Sequence, residues 1–257
     1  MTHPPASTKP DYGIDAPGVV RNLFLASFTG FTAFFTTYFG LWSGVAVNID
    51  LANTGLYAGI GCGLMGSWMV YDSMIGKLKE RERLLDLVAL TGDEQILDVG
   101  CGGGLLLVGA AKRLSSGRAV GLDLWSAEDL TGNKPEVTVE NARREGVAQR
   151  VQVQTGDMRE MPFKDGTFDV VVSNVAIHNI YDREGRAKAV GEIARVLKPG
   201  GRLMIHDIRH VKEYAGELSR AGFTDVKHHG SPLMQGFLFL VTFSSLRPDI
   251  LTARKPS

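Results

Sequence analysis

Hydrophobic and polar positions divide this chain into two stretches with different periods. From Leu23 to Ile49 no charged residue occurs over 27 positions, and after Asp50 the run from Leu51 to Tyr71 is uncharged for 21 more. About 20 apolar residues suffice for a helix to cross a bilayer, so residues 19–71 are expected to form a transmembrane-like helical hairpin. Phe24, Phe28, Phe31, Phe35, Tyr38 and Trp42 recur at helical spacing, with Ala26, Gly30, Ala33, Thr37 and Gly44 on the opposite face. In the second run Gly55, Gly59, Gly63 and Ser67 repeat every four residues. Small residues at that spacing let helices approach closely. The pattern therefore predicts small faces packed together and aromatics turned outward.

Residues 1–18, rich in proline and small polar residues, predict a disordered tail. Residues 72–94 predict an amphipathic linker helix. Ile75, Leu78, Leu84, Leu85 and Val88 supply its apolar side, and its basic first half suits either an anionic membrane surface or solvent. From Gln95 onward short apolar runs alternate with helical patterns, as a parallel α/β sheet requires. Strands are expected around Ile96–Val99, then at Ala119–Leu124, Val151–Thr155, Phe168–Ser173 and Arg202–His206. Helices are expected after the first strand, near Arg183–Leu197 and at Val211–Ala221. Phe223–His228 and Phe237–Phe243 read as the last strands. The α/β domain is thereby placed at 95–247, with a polar C-terminal tail at 248–257.

Charge and cysteine content narrow the picture. The formal net charge is zero, so no nucleic-acid partner is expected. Cys62 and Cys101 form neither a disulfide framework nor a cysteine metal site. Lys9 and Arg21 precede the hairpin, Lys77, Lys79, Arg81 and Arg83 follow it, and Asp50 alone marks its turn. By the positive-inside rule this predicts a multi-pass membrane protein with its catalytic domain on the cytoplasmic side. A soluble apolar helix pair, serving as a lid or dimer arm, is the other reading. Thr29, Thr32, Thr36, Thr37 and the glycines favour it by lowering hydropathy.

The chemistry centres on QILDVGCGGG, residues 95–104. The acid and glycines follow D-x-G-x-G-x-G. A dinucleotide fingerprint, G-x-G-x-x-G, would need glycine at 105 or 107, where leucines stand. Strand, glycine turn and helix bring backbone N–H groups close to a ligand. Asp123 ends the second strand, 19 residues after Gly104, and suits a pair of ribose hydroxyls. Asp157 can accept from an adenine amino group, and Met158 can cover the ring.

Four segments together, LDVGCGGG (97–104), GLDL (121–124), GDMREMPFKDGTFDVVVSN (156–174) and RVLKPGGRL (195–203), resemble the class I, seven-strand S-adenosylmethionine (SAM)-dependent methyltransferases. The resemblance covers about residues 80–245 and is strongest to the branch with quinone-ring and small-molecule methyltransferases. It implies a Rossmann-like α/β fold, a mostly parallel seven-stranded sheet with helices on both faces and a final antiparallel hairpin, using SAM as methyl donor. It assigns Asp98, Gly100, Cys101, Gly102 and Gly104 to the methionine end, Asp123 with the adjoining Leu124 to the ribose, Asp157 and Met158 to adenine, and Asn174 to the methionine part. The hairpin lies outside the resemblance.

Methyl transfer from a sulfonium is an in-line displacement, and a base is needed only where the acceptor must lose a proton. His178, just past the fourth strand, is the candidate base, with Asn179 and Tyr181 as acceptor-positioning groups. The loop from Trp125 to Lys134 reads as a lid or an ordinary surface loop. The segment from His206 to His210 departs from H-E-x-x-H and follows a strand, so no metal is expected. The acceptor is expected to be small and hydrophobic or membrane-derived. A degenerate SAM-binding membrane scaffold is the alternative, and the retained glycines and acids favour the enzyme.

Overall fold

A computed structural model describes residues 9–39, 49–126, 130, 132–231, 233, 235–236 and 246–257. They divide into two compact units, residues 13–77 with 128–131, and the remainder.

In the first unit, helices α1 (Pro17–Tyr38) and α2 (Ile49–Tyr71) pack antiparallel. Pro17 opens α1, where its missing N–H has no intrahelical partner to lose. The small faces meet as the spacing predicts. A Cβ on Gly30 would lie 2.6 Å from the Gly55 carbonyl oxygen and 2.7 Å from the Gly59 nitrogen. The Ser27 hydroxyl donates to the Gly59 carbonyl at 2.7 Å. Phe28, Tyr38, Leu64 and Trp68 face outward and are largely exposed, whereas the rings of Phe24 and Phe31 cover Gly66 and Gly59. Among the described helices only α1 is long and apolar enough to cross a membrane. In α2, Gly55, Gly59, Gly63 and Gly66 lie against α1, where an added Cβ would meet its atoms. Length and apolarity thus leave one candidate span among the described residues in place of the expected pair, and the expected multi-pass arrangement is not supported. Trp42 and Gly44 fall outside the described residues.

The second unit is built on a seven-stranded sheet of order β3-β2-β1-β4-β5-β7-β6. Its strands are β1 (Gln95–Val99), β2 (Arg118–Asp123), β3 (Val151–Thr155), β4 (Phe168–Asn174), β5 (Leu197–Asp207), β6 (Thr224–His228) and β7 (Asp249–Arg254). The first five run parallel, and β7 lies antiparallel between β5 and β6. Alternation along β1 decides the two faces. Ile96 joins one apolar cluster with Leu84 and Leu85 of α3 (Lys77–Asp86) and Leu107 of α4 (Leu105–Arg113). Leu97 and Val99 join the other, with Val190 and Ile193 of α6 (Arg183–Val196) and Tyr214 and Leu218 of α7 (Val211–Arg220). A further helix, α5 (Pro135–Arg144), follows β2.

Three boundaries differ from the sequence reading. The tail expected at 248–257 contains β7, whose Ile250, Leu251 and Ala253 are buried between two neighbours. The strand expected at Phe237–Phe243 lies outside the described residues. Of the disordered tail expected at 1–18, residues 9–18 are described and are fixed in place. Tyr12 is buried, and its hydroxyl donates to Glu145 at 2.9 Å. The linker expected as one helix over 72–94 is a π-helical turn, Asp72–Gly76, then α3, then turns. Arg81, part of its basic half, is buried against Glu145 at 3.0 Å, so it is unavailable to a membrane surface.

Candidate functional site

The strand order reverses between β1 and β4, and in open α/β sheets ligands bind in the crevice at the carboxyl ends of such strands. The glycine turn leaves β1 there. Gly100 has φ +72°, and its N–H donates to the Leu122 carbonyl at 2.8 Å. A Cβ on Gly100 would lie 2.3 Å from Ala176 Cβ and 3.5 Å from Met158 Cε. The turns after β1, β3 and β4 therefore meet at this one residue. Cys101 is buried, its sulfur against Gly121, and burial pushes its thiol far above the ordinary range, so it stays a protonated packing group. Gly104 N-caps α4 with φ +86°.

The acids occupy different environments. Asp98 is 2% exposed and accepts one N–H, from Leu107 at 2.8 Å. Burial pushes it up to about 7, the Leu107 N–H offsets part of that, and the Asp123 charge adds to it. Asp123 accepts from the N–H of Gly102 at 2.8 Å and of Trp125 at 2.6 Å, and from Asn133 Nδ2 at 3.2 Å. It thus ties the β1 turn to the β2 turn. Asp157 is held by the Arg159 guanidinium at 2.6 Å, which keeps it below the usual carboxylate range. Leu124 is exposed beside these acids, and Trp125 donates from Nε1 to Thr155 at 2.8 Å. Residues 127–129 and 131 of the expected lid lie outside the described residues.

On the β4 side, Val175 has φ +51°, a strained value for a β-branched residue, of the kind that collects at functional sites. It turns the chain into the 3-10 segment Ile177–Asn179. Asn174 Oδ1 lies 2.7 Å from His206 Nδ1, and burial holds the His206 imidazole below its usual range. His178 sits against Asp207, with Nδ1 2.6 Å from Oδ1 and the His178 N–H donating to Oδ2 at 3.1 Å. Tyr181 is 94% exposed, and its side chain does not join this cluster.

Several supporting residues escape sequence reasoning. The Thr138 hydroxyl donates to the Gly102 carbonyl at 2.6 Å. Asn141 Nδ2 donates to the Gly103 carbonyl at 2.9 Å and the Asp11 carbonyl at 2.6 Å, while Asn141 Oδ1 accepts from the Asp11 N–H at 2.8 Å. Two buried polar residues three apart on a helix were the available signal. Their partners lie 36 and 130 residues away.

Residues 97–205 match the family model described as a methyltransferase domain. The chain is 37% identical over 125 residues to the demethylmenaquinone methyltransferase of Lactiplantibacillus plantarum, covering 48% of this chain and 49% of that one. Over this stretch the chain is similar to class I SAM-dependent methyltransferases. It is also 31% identical over 166 residues to the ubiquinone/menaquinone biosynthesis C-methyltransferase UbiE of Roseobacter denitrificans, covering 65% of this chain and 56% of that one. The chain thus spans about half the length of the curated relatives it matches. Among solved structures, the methyltransferase domain has the fold of Haemonchus contortus phosphoethanolamine N-methyltransferase 2 in complex with SAM. The TM-score is 0.55 at 21% identity, covering 70% of this chain and 53% of that one. It likewise has the fold of the geranyl diphosphate C-methyltransferase of Streptomyces coelicolor in complex with S-adenosylhomocysteine. Here the TM-score is 0.53 at 18% identity, covering 69% and 77%.

The cofactor of this domain is SAM, and the residues fit it. Asp98 is a buried carboxylate with one N–H partner and no cation beside it among the described residues, and a ligand carrying ammonium and sulfonium charge would supply one.

Proposed function

We propose that this chain transfers a methyl group from SAM to a small, hydrophobic, quinone-like acceptor and associates with a membrane through α1. The carrying observation is the convergence of the turns after β1, β3 and β4 on Gly100, in a domain whose relatives include quinone-ring methyltransferases.

When bound, SAM supplies a methyl group already activated for displacement. The chain's part is then positioning and exclusion of water. Gly100, Cys101, Gly102 and Gly104 with Asp98 hold the methionine end, Asp123 beside Leu124 the ribose, and Asp157 with Met158 the adenine. For Asp157 this requires its carboxylate to be shared between Arg159 and the ring. Asn174 is steadied by His206 against the methionine part. His178 accepts the acceptor's proton, its side chain only 15% exposed and so screened from bulk water. Asn179 lies on the same 3-10 turn and orients the acceptor. Tyr181 contributes only if the acceptor draws it in.

The membrane reading rests on the outward apolar face of α1 and on its threonines. Thr29, Thr32 and Thr36 donate to the carbonyls of Leu25, Phe28 and Thr32, so their hydroxyls are satisfied within the helix. The test is incubation of the purified full chain with SAM and a panel of demethylated quinols, read by mass spectrometry, alongside co-sedimentation with phosphatidylglycerol vesicles. Methylated quinol and vesicle binding are expected. SAM binding without methylation of any quinol or phenol refutes the enzyme reading. A soluble dimer that ignores vesicles refutes the membrane reading.

A further inference from the structure

We infer that Asp207 is a positioning residue that fixes the tautomer of His178 and so leaves Nε2 free to take the acceptor's proton. This rests on the reading of His178 as the proton acceptor.

The carboxylate of Asp207 ends β5 and is 1% exposed. Its Oδ1 accepts the Ile208 N–H at 2.8 Å and lies 2.6 Å from His178 Nδ1. Its Oδ2 accepts the His178 N–H at 3.1 Å and the Tyr214 hydroxyl at 3.3 Å. One buried carboxylate thus grips both the backbone and the ring of His178, from a strand 29 residues away. Nδ1 is shielded from solvent, and its approach to Oδ1 departs from hydrogen-bond geometry, leaving it without another partner among the described residues. Elimination then assigns the proton. A lone pair on the buried Nδ1 would face carboxylate lone pairs at 2.6 Å, which is repulsive, whereas Nδ1–H is attracted. The neutral ring therefore carries its proton on Nδ1 and offers Nε2 as the acceptor nitrogen.

The step balances. The acceptor's electron pair forms the new bond to the methyl carbon, and the carbon–sulfur bond breaks with its pair going to sulfur. The acceptor's proton passes to Nε2. The resulting imidazolium faces the Asp207 carboxylate, which is where its charge is stabilised.

The experiment is long-range proton–nitrogen NMR of the imidazoles in the full chain bound to SAM, without acceptor. The His178 signals are identified by their loss in His178→Gln. Nδ1–H, with Nε2 unprotonated, is expected in the wild type. Asp207→Asn, whose amide can donate to Nδ1, is expected to invert the tautomer. It is also expected to lower turnover roughly 100-fold or more, the range of general-base contributions, with SAM affinity retained. Tyr214→Phe tests general disturbance and should leave the tautomer unchanged. An Nε2–H wild type, or no inversion in a folded Asp207→Asn, overturns the role of Asp207. Inversion with wild-type turnover overturns the inference instead through the base reading of His178.

Discussion

Gly100→Ala probes the point at which three loop turns converge. Alanine there must adopt φ +72°, and its Cβ would stand 2.3 Å from Ala176 Cβ. The left-handed conformation costs about 1–2 kcal/mol for a residue with a Cβ. The overlap falls well inside van der Waals contact, and relieving it in a packed region costs about 1–3 kcal/mol. Ala176 has little room to yield, because the preceding Val175 is already at φ +51° and its N–H donates to the His206 carbonyl at 2.8 Å. The sum, about 2–5 kcal/mol, corresponds to a fall in transition temperature of about 5–15 °C for a domain of this size. Because the shift moves the N–H groups of the glycine turn, SAM affinity should also fall, at least about tenfold for each 1.4 kcal/mol lost from binding. The assays are scanning calorimetry and titration calorimetry with SAM. Gly191→Ala is the internal control. It lies within α6, has nothing within 4 Å of an added Cβ, and should stabilise by about 0.5–1 kcal/mol. A Gly100→Ala protein within about 1 °C of wild type, with unchanged affinity for SAM, would falsify the convergence argument.

Asp123→Ala removes the acceptor of two backbone N–H groups and of the proposed ribose bonds. Hydrogen bonds to a charged group are worth about 1.5–3 kcal/mol each, so titration calorimetry should show SAM affinity reduced roughly 100-fold with the fold retained; twofold or less sinks the assignment. Burial pushes Asp98 up to about 7, so its proton is bound more tightly folded than unfolded. Its contribution to stability therefore falls as pH rises from about 4 through about 7. Binding of a cationic ligand favours the ionised form, so SAM affinity should drop about tenfold per pH unit below 7, and Asp98→Asn should flatten that slope; a flat wild-type profile contradicts this. Glu94 is 4% exposed. Burial raises its pKa, but the N–H groups of Thr91 and Gly92 and the Arg202 guanidinium outweigh that and hold it at about 2. Its stabilisation is present above about 4.5 and is lost as pH falls towards about 2. Glu94→Gln should cost about 2–3 kcal/mol at neutral pH in urea unfolding and leave the acid limb shallower. Gly30→Leu places a side chain where Gly55 and Gly59 backbone now lies, so hydrogen exchange across α1 and α2 should accelerate; unchanged protection argues against the observed helix contact.

Much of this molecule is legible along the chain because burial is periodic. The alternation of Ile96, Leu97 and Val99 anticipates a strand buried on both faces, and the four-residue repeat of Gly55, Gly59 and Gly63 anticipates the close helix crossing. The acids at or just past the ends of β1, β2 and β3 are likewise visible, because Asp98, Asp123 and Asp157 each stand within two residues of a glycine where a strand closes. What tertiary structure alone decides is which distant groups share a charge or an N–H. Arg81 reads as a surface base until Glu145 is brought beside it, and Asp207 reads as part of an unconvincing metal motif until β5 sets it against His178. The strand at 249–254 reads as a tail, since Asp249, Thr252 and Arg254 interrupt its apolar residues and only pairing with β5 and β6 buries the rest. Local pattern records the face a residue presents, whereas long-range partnership depends on strand order, which no short stretch of sequence encodes.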